Sequence, residues 1–140
     1  MKPVRLVYLD TNLFCRPLDD QNDRRIFMEA QAFLEIVGAV ETGKLVVVSS
    51  DYVKFEIEQI VDAQKRKDIR GFERALSKTN IKSSRKLVML AQEFIAHCRL
   101  GALDALHIAS ACLGGVGYFL SCDDQLTGRA SLIEKLAKSM

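Results

Sequence analysis

Short apolar runs that stop at carboxylates alternate with stretches of three- and four-residue periodicity along this chain. Val4-Arg5-Leu6-Val7-Tyr8-Leu9 is mostly apolar and β-favouring, and it ends abruptly at Asp10-Thr11-Asn12. Such a run predicts a strand buried on both faces of a parallel sheet. After a short helical turn and a polar break at Asp19, Asp20 and Asn22, apolar residues recur at helical intervals: Ile26, Phe27, Ala30, Phe33, Leu34, Val37 and Val40. That spacing predicts an amphipathic helix from Arg24 to Thr42, with Gly43 as its C-terminal glycine. Leu45-Val46-Val47-Val48 predicts a second internal strand, and Ser49-Ser50-Asp51 supplies cap chemistry for a following helix that carries Val53, Ile57 and Ile60 on one face. Glu56 and Glu58 on that helix lie about 200 degrees apart, so at most one can face the strand ends.

The basic run from Gln64 to Arg70 reads as a solvated helix face or turn, or as a nucleic-acid patch. Helical period returns over Phe72–Leu76 and Leu87–His97; Lys78–Ser84 between them reads as a connector, and Leu100-Gly101 as the close of the second helix. Leu103–Ala111 is apolar and small-residued, which predicts a helix packed on the sheet. Tyr118-Phe119-Leu120 predicts the third strand, running into Ser121-Cys122-Asp123-Asp124, and the tail from Leu126 to Met140 predicts a short basic helix. This order predicts an α/β fold: a three-layer α/β/α arrangement around a central parallel sheet, in one domain spanning residues 1–140.

Composition narrows the picture only a little. With 49% apolar and 27% charged residues and a net charge of +2, the chain has a globular balance and no bulk charge that implies nucleic-acid binding. No apolar run is long enough to span a bilayer. Lys2 and Arg5 around Pro3, with Asp10 soon after, do not make a signal peptide. Cys15, Cys98, Cys112 and Cys122 are scattered without metal-ligand spacing, which leads us to expect a reducing, cytoplasmic setting.

The candidate chemistry lies in the acids. Asp10 and Asp123 follow strands, and ligands collect beyond the carboxyl ends of strands in open α/β sheets. Asp10 or Thr11 also suits a plain helix cap, and Asp104 suits the first turn of its helix, where the dipole favours negative charge. His107, one turn on, reads either as an electrostatic aid to Asp104 or as a hydrogen-bonded structural residue. If Asp10, Glu56, Asp104 and Asp123 meet, their mutual repulsion calls for a compensating cation. Oxygen ligands favour Mg²⁺ or Mn²⁺, and with phosphate as the other ligand this is a layout for phosphodiester hydrolysis.

Four segments carry a resemblance. Tyr8-Leu9-Asp10-Thr11-Asn12, Ser49-Ser50 through Phe55-Glu56, Leu103-Asp104-Ala105-Leu106-His107-Ile108-Ala109 and Leu120-Ser121-Cys122-Asp123 resemble, in order, the four acidic motifs of PIN-domain proteins. That family includes the VapC ribonucleases of toxin–antitoxin pairs. The resemblance runs from Val4 to about Leu126. It implies a PIN-like fold and a metal-dependent endoribonuclease, with Mg²⁺ or Mn²⁺ held by Asp10, Glu56, Asp104 and Asp123. Asn12 and Ser121 are then supporting polar contacts, Asp124 is an extra acid, and Arg16 and Lys54 are the candidate contacts to the RNA backbone. It further implies a homodimer and an antitoxin partner. The chain departs from the family in showing no strand between Gly128 and Met140, where PIN domains usually close with one.

Two other readings fit less well. A PIN-like module could bind RNA or protein without cleaving. Among other acidic-cleft folds, a receiver domain lacks its phosphoacceptor after Val48 and its late strand-end Lys, and a haloacid dehalogenase would want an acid where Asn12 stands.

Overall fold

A computed structural model describes residues 4–140; Lys2 and Pro3, which enter only the reading of the N-terminus, lie outside the described residues. The chain runs β1 (Arg5–Leu9), α1 (Thr11–Cys15), a 3-10 turn (Arg16–Leu18), α2 (Arg24–Glu41), β2 (Leu45–Ser50), α3 (Asp51–Glu58) and α4 (Ala63–Leu76). It continues through β3 (Ser77–Ile81), α5 (Arg85–Cys98), α6 (Ala102–Leu113), β4 (Tyr118–Leu120), α7 (Asp124–Thr127) and α8 (Ala130–Lys138).

All strand pairs are parallel, in the order β3-β2-β1-β4. The two aliphatic strands, β1 and β2, therefore take the interior of the sheet, where apolar side chains are covered on both faces. Helices flank the sheet in an α/β/α arrangement. Val7, Leu9, Phe14, Phe33, Val47, Val53, Ile57 and Ile69 form one buried cluster. Leu87, Ala91, Phe94, Ala105, Ile108, Ala109 and Leu126 form another under α5, α6 and the C-terminal segment.

Two expectations are corrected. Lys78–Ile81, expected as part of a connector, belongs to a fourth strand, Ser77–Ile81. Its sequence, Ser-Lys-Thr-Asn-Ile, is polar because it lies at the sheet edge with one neighbour and half-exposed side chains, so no apolar run marks it. Helix α5 ends at Cys98 rather than at Leu100-Gly101: Arg99 takes the left-handed conformation at φ 56, and Gly101 instead opens α6. Gly43, with φ 76, ends α2 as expected. Among the described residues the chain after β4 holds only α7 and α8, so β4 remains the sheet edge. No described helix is long and apolar enough to cross a membrane.

Candidate metal centre

Strand β1 delivers Asp10 to the carboxyl end of the sheet, and the Asp10 amide donates to the Leu120 carbonyl at 2.9 Å, which ties it to β4. Its side chain does what a cap does: Oδ1 accepts from the Thr11 amide at 2.8 Å. Its other oxygen, Oδ2, accepts from Ser121 Oγ at 2.7 Å and from Asn12 Nδ2 at 3.5 Å. Asn12 in turn accepts from the Cys122 amide at 3.2 Å, and Ser121 Oγ accepts from the Asp123 amide at 3.0 Å. Asn12 and Ser121 thus fasten the loop after β4 to the end of β1. Asp10 is only 5% exposed, and burial pushes its carboxyl above the ordinary range, against the opposing pull of His107 and of the Ser121 and Thr11 hydrogen bonds.

Ser50 caps α3, and Glu56 on that helix turns toward Asp10 while Glu58 pairs with Arg70 on the other side. Glu56 Oε1 accepts from Thr11 Oγ1 at 3.0 Å and contacts His107 Nε2. Burial works to raise the Glu56 pKa, but the His107 contact and the Thr11 bond outweigh it and hold the carboxyl below its ordinary value. His107, fully buried on α6, bonds through Nδ1 to the Tyr8 hydroxyl at 2.6 Å, and its Nε2 lies 3.9 Å from Asp10 Oδ1. Burial carries the Tyr8 phenol well above its ordinary value, so the hydroxyl keeps its proton.

Asp10, Glu56 and His107 offer ligand atoms that all lie within 4.8 Å of one another. Asp104 and Asp123 stand outside this tight group but inside its field. Asp104, in the first turn of α6, is raised by burial first, then by the charges of Asp123 and Asp10. Asp123 caps α7 by accepting from the Gln125 amide at 2.9 Å. Asp124 turns to solvent in an ion pair with Arg25, whose guanidinium also donates to the Cys122 carbonyl.

Among the described residues no lysine or arginine pairs with Asp10, Glu56, Asp104 or Asp123. The candidate basic residues are engaged elsewhere: Arg16 with Glu29 at 3.0 Å and Asp19 at 2.9 Å, and Lys54 with buried Glu73 and with Asn80. Partly buried carboxylates that press on one another, with no lysine or arginine between them among the described residues, fit a hard divalent ion. Tyr8, Thr11 and Ser50 join the site, although the sequence marked them only as cap or motif positions and not as site residues. A tyrosine inside an otherwise aliphatic strand was the available signal, since a buried hydroxyl needs a partner.

The sequence matches the PIN domain over residues 7–131. The chain belongs to the PIN-domain family. PIN domains are generally nucleases acting on nucleic acids, and PIN nucleases generally use divalent metals. No curated protein matches the chain in sequence. Among solved structures, its fold is similar to that of a chain in the crystal structure of FitAcB from Neisseria gonorrhoeae. That match has a TM-score of 0.58 and 15% identity, over 90% of this chain and 94% of that one. At that identity the likeness speaks for the fold.

Proposed function

We propose that this PIN domain is a Mg²⁺- or Mn²⁺-dependent endoribonuclease that cleaves RNA phosphodiester bonds, acting as the toxin of a toxin–antitoxin pair. The observation that carries the proposal is the group of buried and half-buried acids at the strand ends with no lysine or arginine partner among the described residues. Asp10, Asp104 and Asp123 hold the cation directly, and Glu56 ligates it or holds a bound water. A divalent cation there supplies charge neutralisation for the phosphodiester and a lowered pKa for the attacking water. Asn12 and Ser121 orient Asp10 and the Asp123 loop by the hydrogen bonds described above.

Arg16 and Lys54 are proposed as contacts to the RNA backbone only once released from their acidic partners. The partner proposals, an antitoxin and a second copy of this chain, are supported by exposed Phe27, Met28 and Leu34 on α2. The second reading, a PIN-like module that binds RNA or protein without cleaving, is favoured by one observation: Asp104 and Asp123 lie outside the tight ligand group.

Cleavage of a mixed RNA pool by the purified protein with Mn²⁺, Mg²⁺ or EDTA, beside Asp10→Asn and Asp104→Asn, separates the two. Metal-dependent cutting lost in both folded variants is the expected result. Undiminished cutting by either variant would overturn the metal assignment, and absence of metal binding to the wild type would favour the silent module.

A further inference from the structure

Ser50 closes β2 and caps α3, its Oγ accepting from the amides of Tyr52 and Val53 at 3.2 Å each. The same Oγ lies 2.6 Å from the Tyr8 hydroxyl, which lies 2.6 Å from His107 Nδ1, while His107 Nε2 contacts Glu56 Oε1. Ser50, Tyr8 and His107 are fully buried, so water does not compete for these bonds. The protons can then be placed one by one. A carboxylate only accepts, so His107 Nε2 carries the hydrogen that Glu56 receives. In the neutral ring Nδ1 is then an acceptor, and Tyr8 donates to it. The Tyr8 oxygen accepts from the Ser50 hydroxyl, and the Ser50 oxygen accepts from the first amides of α3. With the ring neutral each hydrogen in the series has a single place, and the series starts and ends on α3.

Glu56 Oε1 also accepts from Thr11 Oγ1 at 3.0 Å, whereas Oε2 accepts from nothing among the described residues. We infer that Ser50, Tyr8 and His107 form a directional hydrogen-bond chain that orients Glu56, with Oε1 held by the protein and Oε2 left to the ligand. His107 is thereby a positioning residue and not a metal ligand. To ligate a cation, Nε2 would have to give up both its hydrogen and Glu56. That the ligand of Oε2 is a divalent cation rests on the function proposed above.

Two measurements test this. Ring ¹⁵N spectra of the metal-free protein should show His107 with Nε2 protonated and Nδ1 bare, and Tyr8→Phe should move the Nδ1 resonance. The Nε2 hydrogen should persist when Mg²⁺ is added. The opposite tautomer, or loss of that hydrogen with Mg²⁺, would overturn the chain. Calorimetric Mn²⁺ binding then reads its effect on the site. His107→Asn places its amide near Nδ1, away from Glu56, and should bind Mn²⁺ about 10- to 100-fold more weakly. His107→Gln places a donor near Nε2 and should recover most of that affinity. Tyr8→Phe should weaken binding in the wild type but not in the His107→Gln background, because the two residues act through one route. Wild-type affinity in His107→Asn, or an equal cost of Tyr8→Phe in both backgrounds, would refute positioning. If the wild type bound no Mn²⁺, the proposed function would fail while the ring spectra alone decided the chain.

Discussion

Asp104 shows most directly how the acids press on one another. The dipole of α6 favours an ionised carboxyl in the first turn by about 0.3–1 kcal/mol. Its pKa is nevertheless raised, so burial and the charges of Asp123 and Asp10 outweigh the dipole. The consequence for stability has a definite sign. The folded carboxyl keeps its proton to higher pH than the unfolded one. Folding therefore carries a penalty that sets in as pH rises through the ordinary value of 3.8 and is complete above the raised folded value. In EDTA, Asp104→Asn should melt above the wild type near neutrality and alongside it below pH 3.8. Paired thermal melts across that window check this; a variant that melts lower at neutral pH would show that the charge is compensated.

At the scale of elements, α3 serves two neighbours at once. Glu56 faces the end of β1, while Lys54, about 200 degrees away round the helix, meets Glu73 of α4 and Asn80 of β3. Glu73 is only 2% exposed, so losing its cation leaves a buried carboxyl without its ion partner. Lys54→Met should therefore lower stability by about 2 kcal/mol, read as a shift in denaturant midpoint, and per folded molecule it should weaken RNA binding with a shallower salt dependence. Unchanged RNA affinity in the folded variant would remove Lys54 from the proposed RNA contacts. The 3-10 turn and α2 are joined in a similar way by Arg16 and Glu29.

The whole molecule brings acids from four elements or their ends to one edge of the sheet, and it stays in register through β1, paired on both sides. A cation that binds only the folded arrangement stabilises it by mass action, by about 2.7 kcal/mol at a hundred times its Kd. Mn²⁺ should thus raise the melting temperature of the wild type and do much less for Asp104→Asn. Equal shifts in both would mark a non-specific ion effect. Along the sheet edge, β4, α6 and α8 line an open groove of about 440 Å³ bordered by Ile108, Phe119 and Ile133, consistent with a sheet that ends at β4.

The sequence by itself determined the parallel α/β order, the two interior strands, helices α2, α3, α5, α6 and α8 in outline, and the position of each acid along the chain. It did so because buried strands and amphipathic helices leave periodic apolar signatures in adjacent residues. Edge strand β3 leaves no such signature, since one covered side requires no apolar run. The turn at Arg99 was likewise hidden, because a left-handed residue that is not glycine has no local mark. Only the tertiary structure decided that Lys54 and Arg16 are occupied by Glu73, Asp19 and Glu29. It alone decided that His107 meets Glu56 rather than Asp104, and that Tyr8 and Ser50 stand behind it. Those contacts join residues 42 to 99 positions apart, and which hydrogen-bond partner a buried polar atom finds is set by packing between elements, not by its neighbours in the chain.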